Sequence, residues 1–261
     1  MPFILLFDFD FVFKYKKFDF GAYMYYILRM IRNGQMIIKT VFLSTFIVVG
    51  VLASTMGMRS YSCPACGEKF ESSTQFSYSI FGKNLDTRPT GPAMIPDPIH
   101  KCPNCNFVFR NERSFTVEEV AKIKKALETN DIFNKEPGMP KYYYLARESE
   151  IINKNLNYLI YYFLSAVWEN RDPDRKNRLI NTTIEYIDKL NETAEDYNDC
   201  QLIKLDLLRR SGQFDAAMKL IGRIKENKNF YNGYVVKIID LQVKLIKDKN
   251  REEHPLPASA D

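Results

Sequence analysis

The sequence predicts a mainly α protein in which a small cysteine module precedes a helical domain, behind an apolar N-terminal segment. Three observations carry this. The unit Cys63-Pro64-Ala65-Cys66-Gly67 recurs as Cys102-Pro103-Asn104-Cys105-Asn106, apolar residues from Leu156 onward return at helical spacing, and no charged residue occurs from Thr40 to Met58. These seams divide the chain into a leader with its apolar segment (1–57), the cysteine module (58–115), the helical domain (116–250) and a tail (251–261).

The apolar segment comes first. Lys39 precedes it, Val41 to Ala53 forms its centre, and Val51-Leu52-Ala53 ends it as a signal peptidase requires. A basic flank, an apolar centre and such an ending describe a secretory signal. Nineteen uncharged residues also come close to the roughly 20 that cross a bilayer as a helix. A cleaved signal and an uncleaved membrane anchor through 40–58 both fit, and a buried core helix is the plainer alternative. Basic residues on the N-terminal side place everything after residue 58 outside the cytoplasmic membrane, so the expected location is exported, periplasmic or anchored facing outward. Residues 1–35 are crowded with Phe, Tyr, Ile and Lys without a clean period. Translation starting at Met36 is one reading of them; a membrane-associated leader around Tyr23–Ile31 is the other.

Composition excludes some classes. Hydrophobic content of 46% and charge of 26% are those of a folded chain, not a disordered one. The net charge of +5 is concentrated in 1–57, which leaves 31 basic against 29 acidic residues downstream. That balance lacks the basic footprint of nucleic-acid binding, so no nucleic-acid partner is expected.

Within the cysteine module, two C-P-x-C turns bring Cys63, Cys66, Cys102 and Cys105 within reach of one ion, the ligand count of a closed structural zinc site. Gly67 and Asn106 follow the pairs, and these residue types enter the left-handed region most easily. The intervening stretch is broken by Gly82, Pro89, Gly91, Pro92, Pro96 and Pro98, so short strands around 70–79 and 107–110 fit a zinc-ribbon-like or rubredoxin-like pair of knuckles. So small a module needs a staple. Zinc supplies about 10–16 kcal/mol in finger peptides, against about 2–4 kcal/mol for a disulfide. Iron would use the same thiolates. Export keeps disulfides open as an alternative, and redox chemistry is the third reading. His100 is read as a surface residue and Cys200 as a buried packing thiol.

The helical part opens at Thr116-Val117-Glu118-Glu119, a capping box, with a helix to about Thr129 that turns Val120, Ile123 and Leu127 inward. Residues 130–141 are a linker by composition. Helices follow over 157–169 and 178–191, the second led by Asp172-Pro173 as N-cap and first turn, with a closing helix over 231–247. Leu207-Leu208-Arg209-Arg210-Ser211-Gly212-Gln213-Phe214-Asp215-Ala216-Ala217 resembles the centre of a tetratricopeptide repeat. There Gly permits the turn, the aromatic packs across it and the small Ala lets two helices approach. A plain helical bundle is the alternative.

The two knuckles, the segment Phe81-Gly82-Lys83-Asn84-Leu85-Asp86-Thr87-Arg88-Pro89-Thr90-Gly91-Pro92 between them and the helices behind them resemble a bacterial family of unknown function. That family carries two cysteine knuckles ahead of a tetratricopeptide-like region. The resemblance implies Cys63, Cys66, Cys102 and Cys105 as metal ligands and transfers no reaction. Catalytic groups are scarce: the only other histidine is His254, and Glu118-Glu119 and Glu252-Glu253 read as solvated pairs. The expected function is therefore a non-catalytic interaction scaffold binding a protein or peptide. Tyr142, Tyr143 and Tyr144 are its candidate contacts, with Tyr161 and Tyr162 beside them. A thiol redox or metal-handling protein of the cell envelope is the alternative.

Overall fold

A computed structural model describes residues 55–77, 79–91, 99–111, 115–129, 136–228, 230–231 and 233–258. The expected leader and most of the apolar segment lie outside these residues. Among the described residues no helix is long and apolar enough to cross a membrane.

Among the described residues three antiparallel strand pairs precede seven helices. Strands β1 (Thr55–Ser62) and β2 (Lys69–Ser77) form a long hairpin in which Tyr61 faces Phe70 and Ser62 faces Lys69. β3 (Gly82–Lys83) pairs with β4 (Pro89–Thr90), and β5 (His100–Lys101) with β6 (Val108–Phe109). The strands expected around 70–79 and 107–110 are β2 and β6. β1 was not expected: Thr55 to Met58, read above as the end of the apolar stretch, open this strand instead.

Helix α1 (Val117–Glu128) begins at the expected capping box, with the Glu119 N–H donating to Thr116 Oγ1 at 3.2 Å and the Thr116 N–H to Glu119 Oε2 at 2.7 Å. Helix α2 (Lys141–Ile151) occupies the end of the expected linker and continues beyond it. Its Tyr-Tyr-Tyr-Leu run has no polar gap, because most of the helix is buried on every side. The remaining helices are α3 (Leu156–Glu169), α4 (Pro173–Ile187), α5 (Tyr197–Arg210), α6 (Phe214–Glu226) and α7 (Gly233–Lys247). Asp172 caps α4 through the Arg175 N–H, ahead of Pro173 in the first turn.

From α2 to α6 each helix packs on its neighbour in sequence, and α7 closes on α5 and α6. At the α5–α6 turn Gly212 has φ +82°, a left-handed helix end that only glycine enters without strain. Ala217 is fully buried, so α6 can lie close against α5. These are the roles expected of Gly212 and Ala217, and Phe214 packs against the same core.

The core lies in contiguous clusters. One joins α2, α3, α4 and the near face of α5 with Ile99 and Val108 of the cysteine region. A second holds α5, α6 and α7 together. A third, built from Tyr61, Phe107, Phe109 and Ile123, lies beneath Cys63 and Cys102. Ile123 comes from α1 and Val108 from β6, so the region expected as a module at 58–115 shares its interior with the helices expected from 116.

The segment expected as a tail is also built in. Leu85 N–H donates to His254 O at 2.9 Å, Leu256 N–H donates to Lys83 O at 2.8 Å, and Asn84 forms a bridge with Pro255. Glu253, read above as solvated, accepts from Arg88, Lys176 and Arg210. The buried Arg209 guanidinium donates to Asp206, Gln242 and the carbonyls of Asn250 and Glu252.

Candidate metal centre

Each C-P-x-C unit folds into the same tight turn. The Gly67 N–H donates to Cys63 O at 2.9 Å and the Cys63 N–H to Glu68 O at 2.8 Å. In the second unit the Asn106 N–H donates to Cys102 O at 3.0 Å and the Cys102 N–H to Phe107 O at 2.9 Å. Gly67 and Asn106 take φ +76° and +64°, the left-handed conformation expected of both. β1–β2 presents the first turn and β5–β6 the second, above the aromatic cluster of Tyr61, Phe70, Phe107 and Phe109.

The four sulfurs of Cys63, Cys66, Cys102 and Cys105 all lie within 4.8 Å of one another. The approaches Cys63 to Cys105 at 3.5 Å and Cys66 to Cys102 at 3.6 Å run between the knuckles. This is one four-sulfur group, not two separate C-x-x-C pairs. A tetrahedral ion with metal–sulfur bonds of about 2.3 Å has sulfur–sulfur edges of about 3.8 Å, a value between the two short approaches across the knuckles and the 4.8 Å that bounds the group. Cys63 and Cys102 are buried, Cys105 is half-buried and Cys66 is exposed. Among the described residues no other cluster of metal-ligating side chains is found.

Electrostatics explain why the group suits a cation. Burial pushes the Cys63 thiol up to about 11, against the N–H groups of Cys66 and Ala65, and also raises Cys105. At Cys66 burial is the largest single effect and raises the thiol, but the Glu68 N–H and the neighbouring thiols together outweigh it and bring it down to about 7. Cys66 therefore gives up its proton more readily than Cys63 or Cys105, whose charged forms burial disfavours. A bound cation removes that penalty and takes all four as thiolates.

His100, expected at the surface, is fully buried. Its ring stacks on Tyr61 with centroids 3.7 Å apart, and Nδ1 lies 3.0 Å from Ser72 Oγ. Burial, aided by Lys141 and Arg59, pushes its pKa down to about 4 and keeps it neutral. The position two residues before a ligand concealed a β5 residue that the hairpin covers. Cys200 is buried in the helical core as expected, and burial raises it to about 11.

Tyr142, Tyr143 and Tyr144 do not form an exposed face: their relative exposures are 0%, 5% and 4%. Tyr142 packs with Tyr161 and Tyr162, and Tyr143 with Phe163. Tyr144 Oη donates to Glu136 O at 3.0 Å. Tyr142 and Tyr143 fill the seam between α2 and α3 and Tyr144 packs back on the segment ahead of α2, so none of the three offers an exposed face.

Two buried constellations carried no sequence signal. The Asp86 carboxylate accepts from Trp168 Nε1 at 2.9 Å, from Arg210 Nη1 and from the Arg88 N–H at 3.1 Å. Glu148, completely buried, accepts the Val108 N–H at 3.0 Å, and burial raises its pKa far above the usual carboxylate range. Both depend on long-range contacts that no local pattern announces.

No family model, curated protein or solved structure matches the chain.

Proposed function

We propose that the chain is an exported or membrane-anchored protein in which zinc, held by Cys63, Cys66, Cys102 and Cys105, is a structural staple and the helical stack is a non-catalytic interaction scaffold. The observation that carries the reading is the single group of four sulfurs within 4.8 Å. Four thiolates close a tetrahedral ion and leave no open position for substrate. The same group supports placing the chain in the bacterial two-knuckle family of unknown function. Export draws on the uncharged stretch before Thr55; β1 begins at Thr55, so cleavage ahead of it would leave that strand entire.

The partner is a protein or peptide held on the helical stack, whose continuous surface suits an extended ligand. A cleft of about 630 Å³ between α4 and the α5–α6 turn is lined by Asn177, Asn181, Ile184, Glu185, Ser211 and Gln213, and this replaces the buried tyrosines as the place to look. Asn181→Arg in the intact chain should lower partner capture without altering metal content. Elemental analysis of protein from the exported fraction should find about one zinc per chain; metal-free native protein with two disulfides would overturn the reading.

One observation favours a second reading, a thiol redox or metal-handling protein of the envelope: Cys66 is exposed, so one sulfur can be reached from solvent. Turnover with thiol substrates, or transfer of the ion to a competing chelator without loss of fold, would move the assignment there.

A further inference from the structure

Residues 250–258 lie on the folded surface as a bound peptide would. Alongside the end of β3 they add a short antiparallel segment, in which the Leu85 N–H donates to His254 O, the Leu256 N–H to Lys83 O, and Asn84 bridges to Pro255. Main-chain pairing of this kind holds extended peptides, and side-chain contacts then give selectivity. Two side chains are gripped here. The Glu253 carboxylate accepts from Arg88 at 2.8 Å, Lys176 at 3.0 Å and Arg210 at 2.7 Å, which come from the β3–β4 loop, α4 and α5. Leu256 packs against the cluster of Leu85, Ile238 and Leu245. Seat and occupant differ in burial. Leu85, Asp86, Arg209 and Arg210 are at most 5% exposed, whereas every residue of 251–258 is exposed or half-buried. The seat also has partners of its own: Asp206 and Gln242 hold Arg209, and Asp86 holds Arg210. The interior therefore fixes the seat, and the occupant lies over it with little buried apolar area, the condition for local opening.

We infer that this seat is a peptide-binding groove, that it takes an extended segment with a carboxylate three residues ahead of an apolar side chain, and that residues 250–258 are a built-in occupant which a partner segment of that chemistry displaces. Three cations around one carboxylate select an acidic occupant, since a segment without one leaves them to repel each other. The groove borders the cleft between α4 and the α5–α6 turn: Lys176 and Arg210 hold Glu253, and the next residues, Asn177 and Ser211, line the cleft. The inference rests on the reading of the helical stack as a peptide scaffold and names the chemistry of its partner. The two fail separately. Partner capture unaffected by Asn181→Arg rejects the cleft, whereas displacement of the resident segment is measured without any outside partner.

The probe is a synthetic peptide with the sequence of residues 250–258. A short tether holds the chain's own segment at an effective concentration of about millimolar, so fluorescently labelled peptide should bind the wild-type full chain weakly. In full-length Glu253→Lys/Leu256→Ser the resident segment loses both anchors, and the peptide should bind at least about ten-fold more tightly by anisotropy. Glu253→Gln within the peptide should weaken that binding about ten-fold or more. The second measurement uses the unaltered chain. Unlabelled peptide at roughly 5 mM, above the effective concentration of the tethered segment, should raise hydrogen exchange in 251–258 while α5 to α7 stay protected. That displacement sustains the inference even where the double variant does not fold. A wild-type segment whose exchange the peptide leaves unchanged overturns it, as does a folded double variant that leaves the peptide unbound; residues 250–258 are then a fixed part of the fold.

Discussion

Replacing Asp86 tests how the loop between the cysteine knuckles is held to the helices. Its side chain is fully buried, and it accepts from the Trp168 indole, the Arg210 guanidinium and the Arg88 N–H. Asp86→Ala leaves the indole N–H without this acceptor and removes the nearest countercharge of Arg210, whose side chain is 4% exposed. Glu253 at 2.7 Å and Asp206 at 3.6 Å still face Arg210, so the charge is weakened in its pairing and not abandoned. Breaking a buried pair from one side costs about 3–5 kcal/mol, and the two remaining carboxylates place the loss near the lower end. For a unit of this size about 3 kcal/mol lowers Tm by roughly 6–12 °C. Asp86→Asn keeps an acceptor without the charge and should lose about half as much. The assay is thermal unfolding followed through Trp168, the chain's single tryptophan. A Tm for Asp86→Ala within about 2 °C of wild type would refute the argument. Asp86→Leu combined with Arg210→Met should recover part of the loss, since well-packed apolar replacements of a buried pair are often neutral.

Three further outcomes follow from the same contacts. Cys102→Ser should abolish stoichiometric metal and expose residues 55–110 to protease while far-UV helicity largely persists, because α2 to α7 have their own apolar clusters; metal analysis and limited proteolysis check both halves. Burial pushes the Glu253 carboxyl up, but Arg210, Lys176 and Arg88 outweigh it and hold it below its ordinary 4.5. Its contribution is therefore full above 4.5 and is lost as pH falls through the lower folded value; hydrogen-exchange protection in 251–258, measured against the intrinsic amide rate, should fall as the pH is lowered below 4.5, and Glu253→Gln should show the same loss at neutral pH. Gly212→Ala should cost about 1–2 kcal/mol from the left-handed backbone alone, since the nearest atom to a new Cβ is 3.6 Å away; denaturant unfolding measures it, and no loss would deny the turn its role.

What could be read from sequence is what short-range chemistry decides. Gly67 and Asn106 had to be left-handed because a chain closing round its second thiolate needs that turn. Thr116 and Glu119 satisfy each other across three residues, and Gly212 ends a helix whose partner begins two residues later. What could not be read is decided across the fold. Asp86 and Arg210 stand 124 positions apart. His100 looked exposed beside a ligand and is covered by Tyr61 of β1, a strand that was not expected. Tyr142 to Tyr144 looked like interface residues because tyrosine favours interfaces, yet the same apolar body fills a helix seam equally well. Thr55 to Met58 were absorbed into the apolar run before them, and only pairing with β2 shows them to be strand.

The four-cysteine group and the helical stack meet at β6, and this changes what a metal held there would do. Val108 is three residues beyond Cys105, lies in the helical core and gives its N–H to the buried Glu148 of α2. Phe107 and Phe109 on either side of it face the cluster beneath the knuckles. Successive residues of one short strand therefore belong to two interiors, and the alternation of a strand makes this possible. An ion held by Cys105 fixes the start of that strand, while Glu148 fixes its middle from the helical side. The ordering supplied by one constraint lowers the entropy cost of the other, so the two are coupled through three residues of backbone. A metal held by the four cysteines would in this sense orient the hairpins on the helices, which gives the group a structural use even in a chain whose helices have apolar clusters of their own.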